Sequence, residues 1–239
     1  MQDIKRFYKA ATAGPVAEGF AILLDGRAVR TPAKAPLVVP SQALAEAIAA
    51  EWQAQDETVQ VAGMALNNLT CTAIDIVAPQ RRKIVDDLAG YGGHDLLCYW
   101  ADGEEELLRR QQQAWQPLLD WAAESLSAPL RKTCGVISQD QPPESLEALQ
   151  RAVENHDALE LTGLSAAVQV SGSLVIGLAL SLGRLGGAEA HRVAQLDEDY
   201  QAERWGGDAE AAARREALRL EMLTAERFLA LIRQNATSN

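Results

Sequence analysis

The densest group of side chains able to do chemistry lies between Gln195 and Ala211, in QLDEDYQAERWGGDAEA. Asp197, Glu198, Asp199 and Glu203 precede a Gly206-Gly207 break, and Asp208 and Glu210 follow it, with Tyr200 and Trp205 among them. Two kinds of work suit such a cluster: holding a divalent cation, or meeting the basic rim of another protein around an aromatic anchor. The cation reading would make the chain a helical metal-dependent hydrolase built on Asp197-Glu198-Asp199. Neighbouring residues of a helix point about 100° apart, so these three carboxylates do not converge on one ion.

Winding the segment as a helix sorts it into faces. Val193, Leu196 and Tyr200 form a narrow apolar stripe suited to a core. Arg192, Asp199 and Glu203 form a charged face expected to be solvated. Glu198, Gln201 and Trp205 share a third face, which an acid, an amide and an indole equip for binding. Gly206 and Gly207 suit a helix C-terminus, Asp208 an N-cap, and Glu210 a first helical turn. The plainer reading of the same corner is structural, with Trp205 closing the helix end onto the core and the acids keeping the chain soluble.

The totals narrow the function classes. With 22 Lys and Arg against 33 Asp and Glu, the 239 residues carry a net charge of −11. That argues against nucleic acid and against anionic lipid as partners. Cys71, Cys98 and Cys134 are far apart and odd in number, and with only three histidines no metal-cage spacing appears. The cysteine pattern fits a reducing compartment. No cofactor fingerprint, nucleophile elbow or phosphate loop is present.

The elements that must hold the corner read from the N-terminus as follows. Residues 1–40 are β in character: RFYKA, then FAILLDGRAVRT with Asp25-Gly26 as a hairpin turn, then Leu37-Val38-Val39. Arg27 and Lys34 near that hairpin read as solvated charges. Ser41 caps a helix carrying Leu44, Ile48 and Trp52. Helices follow over 64–78 and from Pro79 to the glycines at 90–93. His94 to Trp100 is too short and apolar for periodicity to assign. Cys98 within it reads as a buried small hydrophobe.

A helix from Glu104 to Leu126 is expected to kink or break at Pro117, with Trp115 and Trp121 in the core. The segment 130–137 reads as a strand or a loop, and Pro142-Pro143 opens another helix. Leu161 to Gly183 has no charged residue. Its serines, Gln169, Thr162 and glycines make it a buried core helix rather than a membrane span. A final helix runs from Ala209 to about Arg233, and the NATSN tail is expected to fray. The fold class is α+β, with a small β-rich N-terminal domain over 1–93 and a larger all-helical C-terminal domain over 94–239.

Several motifs together resemble the assembly-chaperone family of the catalytic head of the F-type ATP synthase, in its α-subunit-binding branch. They are Arg6-Phe7-Tyr8-Lys9; Leu24-Asp25-Gly26-Arg27 with Thr31-Pro32; Glu51-Trp52 with Gln55; and Asp95-Leu96-Leu97-Cys98-Tyr99. Gln112, Trp115, Pro117-Leu118-Leu119 and Trp121 continue the series, and Asp197-Glu198, Gln201, Trp205-Gly206 and Glu210 complete it. Trp100 stands where the family pattern has Arg. The resemblance implies no enzymatic activity, no cofactor, and transient capture of the unassembled α subunit until the β subunit replaces the chaperone. A start this close to the Arg-Phe-Tyr-Lys motif favours a bacterial, cytoplasmic form. On this reading Trp205 anchors the partner, Glu198 and Glu210 steer its basic rim, and Gln201 and Asp197 complete the contact.

Overall fold

The computed structural model describes residues 4–135 and 137–234. The tail at 235–239, with its glycosylation-like Asn-Ala-Thr, lies outside the described residues, as does position 136 of the 130–137 segment. The fold is α+β. It forms two compact units that interleave along the chain: residues 1–81, 158–163 and 227–239 make one, and residues 82–157 and 164–226 make the other.

The first unit carries most of the strands. β1 (Ile4–Lys5), β2 (Ala11–Val16), β3 (Gly19–Leu24), β4 (Arg27–Ala28) and β5 (Val38–Val39) precede helix α1 (Gln42–Gln53), then β6 (Thr58–Val59) and α2 (Ala65–Thr72) follow. β3 lies centrally, antiparallel to β2, β4 and β5, with Ala11 opposite Leu24, Leu23 opposite Ala28 and Phe20 opposite Val39. β1 and β6 pair separately, Ile4 opposite Val59. The Asp25-Gly26 turn has positive φ at both residues, 48° and 80°. That is the two-residue hairpin geometry whose twist matches the strands, and Asp and Gly are the residues that tolerate it. The Arg6–Ala10 segment, expected as a strand, is not one: β1 ends before it at Lys5 and β2 begins after it at Ala11.

Ser41 caps α1 as the sequence suggests, its Oγ accepting from the Leu44 amide at 3.2 Å. The same hydroxyl donates to the Leu231 carbonyl at 2.6 Å. The core of this unit joins Ile22, Leu37 and Val39 of the sheet region to Leu44 and Ile48 of α1, Leu66 of α2, and Phe228 and Ile232 from near the end of the chain. Leu159 packs against it from the 158–163 segment.

The second unit is helical, apart from one two-residue parallel pair. In chain order come α3 (Arg81–Gly90), β7 (Tyr99–Trp100), α4 (Glu105–Ala114), α5 (Gln116–Ser125), β8 (Thr133–Cys134), α6 (Pro143–Glu154), α7 (Ala158–Ser171), α8 (Leu174–Ser181), α9 (Gly187–Ala194), α10 (Leu196–Trp205) and α11 (Ala209–Arg233), of which the start of α7, 158–163, and the end of α11, from 227, belong to the first unit. The helix expected over 104–126 breaks into α4 and α5 at Trp115, with Pro117 in the first turn of α5. Proline there lacks only an amide hydrogen that would be unpaired anyway. Trp115 is fully buried and donates its indole N–H to the Val193 carbonyl at 3.0 Å, which fixes the end of α9. Trp121 is only half-buried, contrary to its expected place in the core.

The uncharged 161–183 stretch is two helices, where the sequence suggested one. Gly172 has φ 66°, and Ser173 starts α8 by accepting from the Ile176 amide at 3.0 Å. Uniform apolarity hides such a break from any periodicity argument. Every residue of α8 is buried. No helix among the described residues is long and apolar enough to cross a membrane. Gly177 lets α8 approach α7, because a Cβ there would stand 2.5 Å from Val168 Cγ2.

The ambiguous 94–100 segment is a 3-10 turn, Leu96–Cys98, running into β7. Asp95 is fully buried and accepts from the Leu97 amide (3.0 Å), the Ser173 hydroxyl (2.7 Å) and the Val175 amide (3.0 Å). It therefore ties this turn to the start of α8. Burial, aided by the Asp95 charge, pushes the Cys98 thiol up to about 12. A thiol held protonated in this way is a packing group, not a nucleophile.

Candidate protein-binding site

The corner forms as its residues dictate. α10 ends at Trp205, and Gly206 leaves the helix with φ 83°. Asp208 then caps α11, its Oδ1 accepting from the Ala211 amide at 2.6 Å. Asp197, Glu198 and Asp199 fill the first turn of α10, where the amide ends of the helix favour negative charge. Val193 and Tyr200 are buried and Leu196 half-buried, so the apolar stripe faces the core.

The five residues expected to bind a partner fall into three settings. Glu198 is exposed and forms no ion pair with any described residue. Gln201, one turn on, is half-buried, and Trp205, two turns on, is 69% exposed. Because α10 is a continuous helix, these three share one face. Glu210 is exposed on the first turn of α11, and no hydrogen bond or ion pair joins it to that face. Asp197 turns inward. It is half-buried and accepts from Gln111 Nε2 at 2.9 Å.

Asp197 belongs to a partly sunken polar group behind the exposed face. Burial raises its carboxyl above the ordinary range; the Gln111 hydrogen bond opposes this, and the nearby Glu198 and Glu104 charges add to it. Gln111 is itself buried and accepts from the Ala101 amide at 2.8 Å, so its orientation is fixed from both ends. Glu104 Oε2 is buried without a hydrogen bond and faces Arg204 Nη1 at 3.6 Å.

Sequence reasoning missed the two guanidinium groups on Tyr200. Arg110 and Arg204 both approach its ring, with guanidinium carbons 5.3 and 5.6 Å from the ring centre. Arg204 also donates to the Tyr200 hydroxyl at 2.9 Å and sits 5.9 Å from the Trp205 ring. The indole thus has a cation at its side but open solvent over most of its surface. Asp199 and Glu203, expected to be merely solvated, are paired: Asp199 with Arg215 at 3.5 Å and Glu203 with Arg110 at 2.7 Å. Their partners lie 16 and 93 positions away, which no local signal reveals. The three successive acids therefore diverge, Asp197 toward Gln111, Asp199 toward Arg215 and Glu198 outward. That geometry does not make a metal site, and no group of three or more metal-ligating side chains assembles among the described residues.

Comparison with known proteins gives this geometry its context. Residues 5–123 match the family model of the ATP12 chaperone protein. The crystal structure of Atp12 from Paracoccus denitrificans is 44% identical, with a TM-score of 0.93 over 96% of this chain and 99% of that one. The chain belongs to the ATP12 chaperone family. A mutant of P. denitrificans Atp12p superposes equally well, with a TM-score of 0.93 and 43% identity over 97% of this chain and all of that one. The mitochondrial protein atp12 of Schizosaccharomyces pombe is 26% identical over 217 residues, covering 85% of this chain and 74% of the yeast protein. This ATP12-family protein is an assembly chaperone rather than an enzyme.

Proposed function

We propose that this chaperone captures the unassembled α subunit of the F-type ATP synthase catalytic head in the cytoplasm and releases it when the β subunit arrives. Family membership supports the client class, and the three free cysteines fit a reducing compartment. An unassembled subunit presents an apolar interface that aggregates if left bare. A holder of that interface must bind firmly enough to cover it and weakly enough to be displaced by mass action.

The exposed Trp205 is the observation that carries the reading. A large aromatic left 69% open at a helix end, on the same face as the unpaired Glu198, is an anchor waiting for a pocket. Glu198 and Glu210 steer a basic rim toward it, which acts mainly on the association rate and weakens with salt. Gln201 supplies a hydrogen bond beside the indole, and Asp197 backs the face from within.

The test is capture of purified α subunit, followed by titration with β subunit. The wild-type chain should retain α and lose it as β is added. Glu198→Lys should slow capture, and Trp205→Ala should shorten the lifetime of the complex, with the fold intact in both. Wild-type capture by both variants would remove the corner from the mechanism.

A further inference from the structure

The first forty residues run against the charge of the rest. They hold six Lys and Arg against three Asp and Glu, a net of +3 in a chain whose total is −11. Phe7, Leu24, Arg27, Ala28, Arg30 and Trp52 help to line an open cavity of about 600 Å³ within the first unit. Phe7 is 70% exposed at its edge.

The two motifs that meet here, Arg6-Phe7-Tyr8-Lys9 and Leu24-Asp25-Gly26-Arg27, divide into residues with structural tasks and residues without. Arg6 spends its guanidinium on the backbone carbonyls of Tyr8, Lys9, Gln53 and Gln55. Tyr8 is buried and donates its hydroxyl to the Trp52 carbonyl at 2.7 Å. Asp25, the acid lining the cavity, accepts from the Lys9 and Ala10 amides at 3.1 and 2.9 Å. Phe7 and Arg27 hold nothing together by comparison. Arg27 is exposed with no ion pair or side-chain hydrogen bond among the described residues. Arg30 is exposed, and among the described residues its guanidinium meets only the Lys34 carbonyl, at 2.8 Å, with no carboxylate paired to it.

Phe7 is nonetheless held in place. Its ring meets Tyr8 edge-on at 5.3 Å, and Tyr8 meets Trp52 in the same manner at 5.8 Å. Trp52 is fixed in turn by donating to Asn67 Oδ1 at 3.0 Å. A rigid exposed aromatic beside two uncompensated guanidinium groups is the composition of a recognition hot spot, since little side-chain entropy remains to be lost on binding.

We infer that this cavity is a second docking surface, which takes an extended acidic segment bearing a large apolar side chain from the polypeptide the chaperone holds. The apolar side chain packs on Phe7, and the carboxylates meet Arg27 and Arg30, whose forked donors fit carboxylate oxygens. The inference rests on the chaperone reading only for the source of the segment; the chemistry of the cavity stands apart from Trp205.

The test uses the full chain and a fluorescein-labelled peptide of alternating Glu and Leu, read by fluorescence anisotropy. A peptide with Lys in place of Glu and a single-stranded oligonucleotide serve as the contrasting probes. The Glu-Leu peptide should bind, with affinity falling as salt rises, and Arg27→Glu with Arg30→Glu should weaken it about tenfold or more. Phe7→Ala should weaken it several-fold while leaving the salt dependence unchanged. Equal binding by the double arginine variant, no binding of the Glu-Leu peptide, or tighter arginine-dependent binding of the oligonucleotide would each overturn the inference. So would full capture of the α subunit by the double arginine variant, an outcome that leaves the Trp205 corner standing. Loss of α-subunit capture in Trp205→Ala with peptide binding intact would mark the two surfaces as separate and support the cavity.

Discussion

Gln111 donates its amide N–H to Asp197 at 2.9 Å while its carbonyl accepts from the Ala101 amide at 2.8 Å, so one buried amide orients the carboxylate behind the exposed face of α10. Asp197 titrates above its ordinary value of 3.8, chiefly because burial penalises its charge. A carboxyl that binds its proton more tightly folded than unfolded loses stability as pH climbs from about 4 through the raised folded pKa. Asp197→Asn removes that dependence. The stability of the Asn variant relative to wild type should therefore be greater at pH 7 than at pH 4, measured by urea unfolding at both values. An identical difference at the two pH values would contradict the assignment.

Asp95 offers a harsher test of burial. It is fully enclosed and answers three donors, the Leu97 and Val175 amides and the Ser173 hydroxyl. Asp95→Ala leaves those donors without a partner in a dry setting, at roughly 1–3 kcal/mol for each group that finds no substitute. Equilibrium denaturation should show a loss of at least about 3 kcal/mol. A loss under about 1 kcal/mol would mean that water enters or that the turn relaxes.

Gly177→Ala probes the approach of α8 to α7. The added methyl would stand 2.5 Å from Val168 Cγ2, closer than any relaxed contact. Overpacking of this kind costs about 1–3 kcal/mol. Adding Val168→Ala to the glycine variant should recover part of the loss, which thermal unfolding of the single and double variants would reveal. Additive losses would refute the contact.

Trp205→Ala should leave thermal stability within about 0.5 kcal/mol of wild type, because an indole this exposed contributes little burial. A marked drop in melting temperature would return Trp205 to the role of a structural plug.

Local signals in the sequence were sufficient wherever a residue acts on its own neighbours. Asp25-Gly26, Ser41, Pro117, and the Gly206 and Asp208 pair each dictate a backbone conformation within a few residues, and each does so in the structure. The faces of α10 followed from helical spacing alone. What escaped depends on distant partners. Nothing near Glu203 announces Arg110, and nothing near Asp199 announces Arg215. Asp95 sits in an apolar run where a charge signals neither burial nor its partners some eighty residues later. Reading RFYKA as a strand leaves the side of Phe7 open, because an aromatic type alone does not say which side of the chain faces solvent.

The first unit gathers its core from both extremes of the sequence. Phe228 is fully buried beside Ile22, Leu44 and Ile48, and Ser41 donates to the Leu231 carbonyl. A ribosome builds the opening strands and α1 first and must make almost all of the remaining chain before their last packing partners emerge. Until then the part of this core that Phe228 and Ile232 cover stands open. The nascent chaperone thus faces, for most of its own synthesis, the hazard of unsatisfied apolar surface that its family exists to manage in others.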